Sequence, residues 1–327
     1  LGILAVLSVG CADDERGDGT EGGSISATIG PMETSGDGDG DGDETGVRYD
    51  VGDGDGTAGT AEGGDAEGCT KVDLLFVIDN SGSMADEQQA LIASFPEFVT
   101  GIQQQLENAE SYHIGIVTSD AYSGNEPGCT DLGNLVTKTA GADASNQTCT
   151  PFTSGARFMD ESEPDLSGKF ACAGQVGSEG SGDEKQIQAL LRALAVDQNG
   201  PGGCNEGFIR DDALLVIVII TDEDDKLEEC IPLIGCVPAG GTPGAPPEWF
   251  QSILNLKGGI SDNIVVLSVI GQENNSCGAD YAKRILQFTN NFKNSSVGDI
   301  CAASYGAFLT DAISIIDSAC DDFIPPG

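Results

Sequence analysis

The apolar run at residues 74–78, LLFVI, is too short for an independent helix and is bounded by polar residues. It suits a strand buried on both faces of a parallel sheet. The run stops at Asp79, and Ser81 and Ser83 follow at two-residue spacing around Gly82. Open α/β sheets hold ligands in the crevice beyond the carboxyl ends of their strands, so three oxygens gathered there form a candidate site for a hard cation. Gly82 is expected to permit the tight backbone that turns them inward.

The rest of the chain alternates in the same style. Residues 84–106 carry apolar side chains at Leu91, Phe95, Phe98, Val99, Ile102 and Leu106, the period of a helix packed by one face. Ser94 and Glu97 form a capping-box pair around Pro96, which predicts two segments or a sharp kink. Residues 111–119 read as a second strand and contain His113, the one histidine of the sequence, for which a structural role is expected. A Gly/Ser-rich loop opens into a helix over 177–194 without the spacing of a P-loop. A second strongly buried strand, 211–220, ends in TDEDD, so Asp222 emerges at the same sheet edge as Asp79 if the two strands are parallel. Further helices are expected at 247–256, 279–292 and 307–319, a strand at 263–270, and a last strand or turn near Ile300. This pattern predicts one α/β domain over 69–327, with a doubly wound, mainly parallel central sheet flanked by helices. Disulfide-stapled loop insertions are expected at about 121–170, with a short edge strand at 156–159, and at about 227–247.

Eleven cysteines without a CxxC pair indicate oxidising export. Ten of them, Cys69, Cys129, Cys149, Cys172, Cys204, Cys230, Cys236, Cys277, Cys301 and Cys320, allow up to five bridges. Cys69 and Cys320 bracket the domain and are the preferred pair, Cys230 and Cys236 are close enough for a local bridge, and Cys129 and Cys149 lie in the first insertion. The remaining connectivity stays open. A formal net charge of -40 makes nucleic acid and anionic membrane surfaces poor partners.

Residues 12–68 hold 17 glycines and 17 acidic residues but one aromatic, Tyr49. Such a segment cannot bury enough apolar surface to offset its ordering entropy and is expected to act as an extended, disordered tether. Asp37, Asp39, Asp41 and Gly42 match the start of an EF-hand loop, but Arg48 stands where its glutamate belongs. Residues 1–10, LGILAVLSVG, read as the end of a signal peptide. LSVGC resembles a bacterial lipobox, with Ser8 where the pattern prefers leucine, and this implies lipidation of Cys11. The alternative is an ordinary cleaved signal and a free thiol. The resemblance places the protein at a bacterial envelope or cell surface, in the outer membrane if the cell has one, touching membrane through its lipid alone.

With both strand ends in view, residues 69–320 resemble the von Willebrand factor type A family. That family binds a divalent ion at a metal-ion-dependent adhesion site built from Asp-x-Ser-x-Ser, a threonine or serine on a second loop, and an aspartate on a third. Asp79, Ser81 and Ser83 match the first element and Asp222 the third. The second loop has no threonine, and Ser181 is chosen over Ser178 by its distance from the helical Ile187. The resemblance implies a Rossmann-like sheet and recognition through a metal completed by a partner's carboxylate, on a protein or another surface ligand. The all-oxygen donor set independently suits magnesium, with manganese or calcium as substitutes, and not zinc.

Three other readings compete. Asp79 and the serines could serve as helix caps alone. A haloacid dehalogenase-type phosphatase needs a second aspartate where Ser81 stands, and no G-x-S-x-G elbow occurs, so the remaining enzymatic reading is a metal-assisted hydrolase using the acidic loop. A structural envelope lipoprotein with a vestigial metal site is the third. The sequence therefore leads to the expectation of a non-enzymatic, surface-anchored adhesion module, with the insertions as its candidate specificity surface.

Overall fold

The computed structural model describes residues 68–105, 110–231, 235–238 and 240–326. Cys11, the segment before it and the proposed tether up to residue 67 lie outside the described residues.

Six strands form the central sheet. In chain order these are β1 (Lys71–Ile78), β2 (Ser111–Thr118), β3 (Met159–Asp160), β4 (Leu214–Thr221), β7 (Ile264–Ile270) and β8 (Asn294–Asp299), arranged in space as β3-β2-β1-β4-β7-β8. All neighbours are parallel except β3, a two-residue edge strand antiparallel to β2. The chain leaves β1 toward β2 and later returns to its other side at β4. The switch point of the doubly wound sheet therefore lies between β1 and β4, with Ile78 in register with Ile220.

Why the strands read as continuous apolar runs is visible in the two cores. Leu74, Phe76 and Ile78 of β1 join Val216, Val218 and Ile220 of β4 on one face. Helices α1 (Ala85–Gln105), α2 (Leu166–Gly174) and α7 (Gly306–Asp321) cover that face. Leu75, Val77, Leu215, Ile217 and Ile219 point the other way, under α3 (Gln186–Ala193), α5 (Pro246–Leu256) and α6 (Lys283–Thr289). With helices on both sides, a strand has no solvent face to alternate toward. A short helix, α4 (Val196–Asn199), and a separate hairpin of β5 (Glu228–Ile231) and β6 (Gly235–Pro238) complete the elements.

Several expectations need correction. The first helix is one element through Pro96, because Ser94 does not cap a new segment. Its hydroxyl donates back to the Ala90 carbonyl at 2.8 Å and accepts from the Tyr305 N–H at 3.1 Å. Phe95 and Phe98 on either side of the proline are both buried against Phe76, with centroids 5.9 and 6.3 Å away, so packing outweighs the one lost helical hydrogen bond. The edge strand sits at Met159–Asp160, not 156–159, and the last strand is Asn294–Asp299, ahead of Ile300. Helix α2, with its Asp165 cap, and the β5–β6 hairpin occupy stretches expected to be loop.

Four disulfides join described residues. Cys69–Cys320 closes the domain as expected. The first insertion is held by two bridges, Cys129–Cys204 and Cys149–Cys172, and Cys277 pairs with Cys301. Cys230 stands opposite Cys236 in the hairpin register, while a bridge between them lies outside the described side chains. Four disulfides are the mark of a chain that folds in an oxidising compartment. Among the described residues no helix is long and apolar enough to cross a membrane.

His113 takes the structural role expected of it. Its Nδ1 lies 2.8 Å from the Phe208 carbonyl and 3.5 Å from Asp73, and Asp73 is itself held by Arg210. This cluster sits toward the opposite end of β1 from Asp79, about 20 Å away at ~3.3 Å per strand residue.

Phe76 is fully buried among Phe95, Phe98 and Phe170. Phe76→Ala is expected to destabilise the domain by about 3–5 kcal/mol. Denaturant unfolding would check this, and a loss under about 1 kcal/mol would show that the cluster does not carry the α1–α2 face.

Candidate metal centre

Asp79 is the first residue beyond β1 and is fully buried. Its N–H extends the sheet ladder by one bond to the Ile220 carbonyl at 3.0 Å, which locks it beside the end of β4. Oδ1 accepts from the Ser81 N–H at 2.8 Å, an Asx-type turn that folds the DNSGS loop back on itself. Oδ2 accepts from the Thr221 hydroxyl at 2.5 Å and lies 3.4 Å from Gln186 Nε2. One carboxylate thus gathers its own loop, the end of β4 and the start of α3. The Ser119 hydroxyl, after β2, lies 3.3 Å from Oδ1.

Ser81 is buried and its Oγ has no hydrogen-bond partner, whereas Ser83 is exposed. Gly82 is not demanded by crowding: an added Cβ would find its nearest contact at 4.0 Å, on the Ser178 carbonyl. The close approach comes instead at Gly180, whose N–H bonds to the Asn80 carbonyl at 2.7 Å and whose Cβ would meet that oxygen at 2.5 Å.

The acidic loop after β4 divides its residues between two tasks. Asp222 is 8% exposed, and its Oδ1 is buried without a partner. Asp224 accepts from the N–H groups of Arg284 and Ile285 at 3.0 and 3.2 Å and so caps α6. Asp225 accepts from Ile187 N–H at 2.9 Å at the start of α3 and from the Thr242 hydroxyl at 2.5 Å. These two are scaffolding, whereas Asp222 and Glu223 lie near enough to Asp79 to interact with its charge.

On the second loop neither serine of the sequence analysis turns to Asp79. Ser178 donates to Asp143 at 2.5 Å. Ser181 is exposed, its hydroxyl accepting from Asp183 N–H at 3.0 Å and its own N–H donating to Asp120 at 2.7 Å. The side chain brought inward is Glu184, 3% exposed, with Oε2 accepting from Gln186 Nε2 at 3.2 Å and Oε1 buried without a partner. Gln88 ties the loops together: its Nε2 donates to the Asp79 and Gly177 carbonyls at 3.0 and 2.8 Å, and its Oε1 accepts from Gly177 N–H at 3.0 Å.

Crowding of buried acids dominates the electrostatics. Burial pushes the Asp79 carboxyl up, and the charge of Asp222 adds to it against the hydrogen bonds from Thr221 and Ser81. Glu184 is pushed to about 10, by burial first and then by the charge of Asp79. Glu223 is pushed to about 7 by burial and by Asp79 and Asp222.

Four buried oxygens without hydrogen bonds belong to residues near Asp79: Ser81 Oγ on the first loop, Asp222 Oδ1 on the third, and Glu184 Oε1 and Gln186 Oε1 at the second loop and the start of α3. Buried polar atoms are normally satisfied, so these mark a place where the chain itself provides no donor. All are hard oxygens, the donor type of magnesium and calcium sites, and they fit such an ion. Among the described residues no three His, Cys, Asp or Glu side chains close on a common point, so the set mixes hydroxyls with carboxylates.

No family model matches the sequence, nor does any curated protein. Among solved structures, a von Willebrand factor type A protein from Catenulispora acidiphila matches at 16% identity and a TM-score of 0.37, covering 76% of this chain and 42% of that one. The pilus adhesin SpaC from Lactobacillus rhamnosus GG, in an open conformation, matches at 16% identity and 0.40, covering 76% and 30%. Proximal thread matrix protein 1 from the mussel byssus matches at 11% identity and 0.37, covering 76% and 48%. The chain spans less than half the length of each of these proteins. Likeness of this degree adds nothing to the strand order, which carries the fold by itself.

Glu184 provides a pH test. Its carboxyl stands at an ordinary 4.5 when unfolded and at about 10 when folded. Between those values the folded state binds the extra proton, so stability falls as pH rises through the window. In EDTA, the melting temperature of the wild type is expected to drop from pH 5 toward pH 9, and Glu184→Gln to flatten that slope. An unchanged slope in the variant would contradict a protonated carboxyl buried there.

Proposed function

We propose that the domain is a binding module of the von Willebrand factor A type that engages its partner through a divalent cation at the β1–β4 crevice. The observation that carries this is that Ser81, Asp222 and Glu184, on three loops, each hold a buried oxygen with no hydrogen-bond partner among the described residues. Asp79, Ser81, Ser83 and Asp222 are the proposed donors from the first and third loops. From the second loop, Glu184 takes the place expected of Ser181, because it is buried against Asp79 while Ser181 is bound up at the surface.

A bound magnesium, manganese or calcium ion would supply an electrophilic point at which an oxygen of the partner, most strongly a carboxylate, completes the coordination. The chain's own residues do the remaining work. Thr221, Gln186 and the Ser81 N–H hold the Asp79 carboxylate in one orientation, and Gln88 keeps the first and second loops at a fixed separation. No proton transfer is required of them, and His113 lies at the far end of the sheet, which supports a non-catalytic role.

Presentation at a cell surface belongs to the same proposal. Four disulfides fit an exported domain. Lipidation at Cys11 would anchor the chain, and the acidic, glycine-rich residues 12–68 would serve as spacer.

Calorimetric titration of the full chain with magnesium is expected to show one saturable site, and saturating metal to raise the melting temperature. Asp79→Ala and Asp222→Ala are expected to abolish binding. Glu184→Gln, which keeps an oxygen but removes the charge, should weaken it about 10–100-fold, while Ser181→Ala leaves it unchanged. Absence of binding by the wild type, or binding that survives Asp79→Ala, would sink the assignment.

A further inference from the structure

Gln186, the first residue of α3, lies beside the proposed donors without being counted among them. It is fully buried, and its backbone is held from outside the helix. The next two N–H groups donate to Asp225 and to the Thr242 hydroxyl, each at 2.9 Å. Its side-chain amide meets three acceptors through one atom. Nε2 stands 2.8 Å from Thr221 Oγ, 3.2 Å from Glu184 Oε2 and 3.4 Å from Asp79 Oδ2.

An amide can be turned over, but here its neighbours decide the orientation. Two of the three acceptors are carboxyl oxygens, which an N–H satisfies and an amide oxygen would repel. The nitrogen therefore keeps that side. Oε1, on the other arm of the same planar group, is buried with no hydrogen-bond partner. Seven buried side-chain polar atoms lack a partner among the described residues, and four of them belong to Ser81, Asp222, Glu184 and Gln186. Such atoms are rare and ordinarily scattered, so their gathering around one carboxylate points to a single missing group.

An amide oxygen is a neutral, hard donor. Calcium accepts Gln carbonyl oxygens in a flexible shell of about six to eight ligands, whereas magnesium demands near-ideal octahedral geometry, sheds water reluctantly and is held through one or two carboxylates. Four buried oxygens, with Asp79 and Ser83 beside them, exceed what magnesium usually takes from a protein and still leave calcium room for an oxygen of a partner.

We propose that Gln186 Oε1 ligates the cation of the β1–β4 crevice and that the site selects calcium over magnesium. The inference rests on the metal reading above and narrows it to one ion and one further ligand. Gln186 then works with both arms, the nitrogen orienting Asp79 and the oxygen binding the ion.

The test compares calcium with magnesium by calorimetric titration of the full chain. It also follows the side-chain carbonyl carbon of Gln186 by NMR in protein isotope-labelled at that carbon of glutamine. The wild type is expected to bind calcium at least about tenfold tighter than magnesium. The Gln186 carbon is expected to shift on saturation, while that of the exposed Gln251, on α5, stays in place. Gln186→Met, which keeps the length of the side chain and removes the amide, should weaken calcium about 10–100-fold and magnesium much less, so that the preference collapses. Thr221→Val, which loosens Asp79 without removing a proposed ligand, should weaken both ions alike. The inference is overturned if Gln186→Met weakens both ions by the same factor, as a merely positioning residue would. It is equally overturned if the Gln186 carbon does not move under saturating calcium, or if the wild type prefers magnesium. If Gln186→Met does not fold, the wild-type preference and the carbon shift decide the matter alone. Binding of neither ion by the wild type would instead overturn the metal reading itself.

Discussion

The Asp79 carboxylate, fixed between two neighbouring strand ends, is the constraint on which the upper edge of this sheet depends. It is buried completely, yet the groups around it are a backbone N–H, two hydroxyls and an amide, with no cationic side chain among its hydrogen-bond partners. Taking a carboxylate out of water costs several kcal/mol unless charge or strong hydrogen bonds compensate it. Neighbouring acids make the situation worse, since Asp222 and Glu184 both act on Asp79 or feel its charge. Acidic side chains gathered at the switch point, with burial and mutual repulsion raising the carboxyls of Asp79 and Glu184, would be relieved by a cation, and that is the physical core of the functional proposal.

The same economy of residues appears in TDEDD. Thr221 orients Asp79, Asp222 keeps a buried oxygen without a partner, and Asp224 and Asp225 anchor the N-terminal ends of α6 and α3. An acidic run that looks uniform in sequence is thus divided by the geometry of a strand end, where successive side chains point in different directions. The two helix anchors also set the position of the loop that carries Glu184, because Ile187 follows it by three residues.

Much of the architecture was legible in the apolar runs at 74–78 and 211–220. Strands covered on both faces leave an unambiguous signal, and their ends located Asp79 and Asp222 without further information. Pro96 misled because a local rule met a stronger tertiary one, the burial of Phe95 and Phe98 on the same face. Glu184 was not legible at all. A glutamate ahead of a helix ordinarily stands in solvent, and only the docking of Gly180 on Asn80 and of Ile187 on Asp225 turns it inward. Ser181 fitted the expected spacing, but spacing cannot tell which way a side chain faces in a loop with two glycines beside it. Gln88 and Gln186 were missed for a similar reason, since their amides hold loops together through contacts that no local pattern encodes. Thr221 could have been found as the first polar residue after the second apolar run, directly across from Asp79.

The central claim is that Ser81, Asp222 and Glu184 leave oxygens unsatisfied because a divalent ion belongs among them. Crystals of the full chain grown with manganese give the most direct test, through the anomalous scattering of the metal. The account predicts one strong peak at the carboxyl ends of β1 and β4, within about 2.0–2.6 Å of Ser81 Oγ, with Glu184 on the second-loop side. A map without a peak in the crevice, or a metal held by Ser181 with Glu184 turned away, would contradict it.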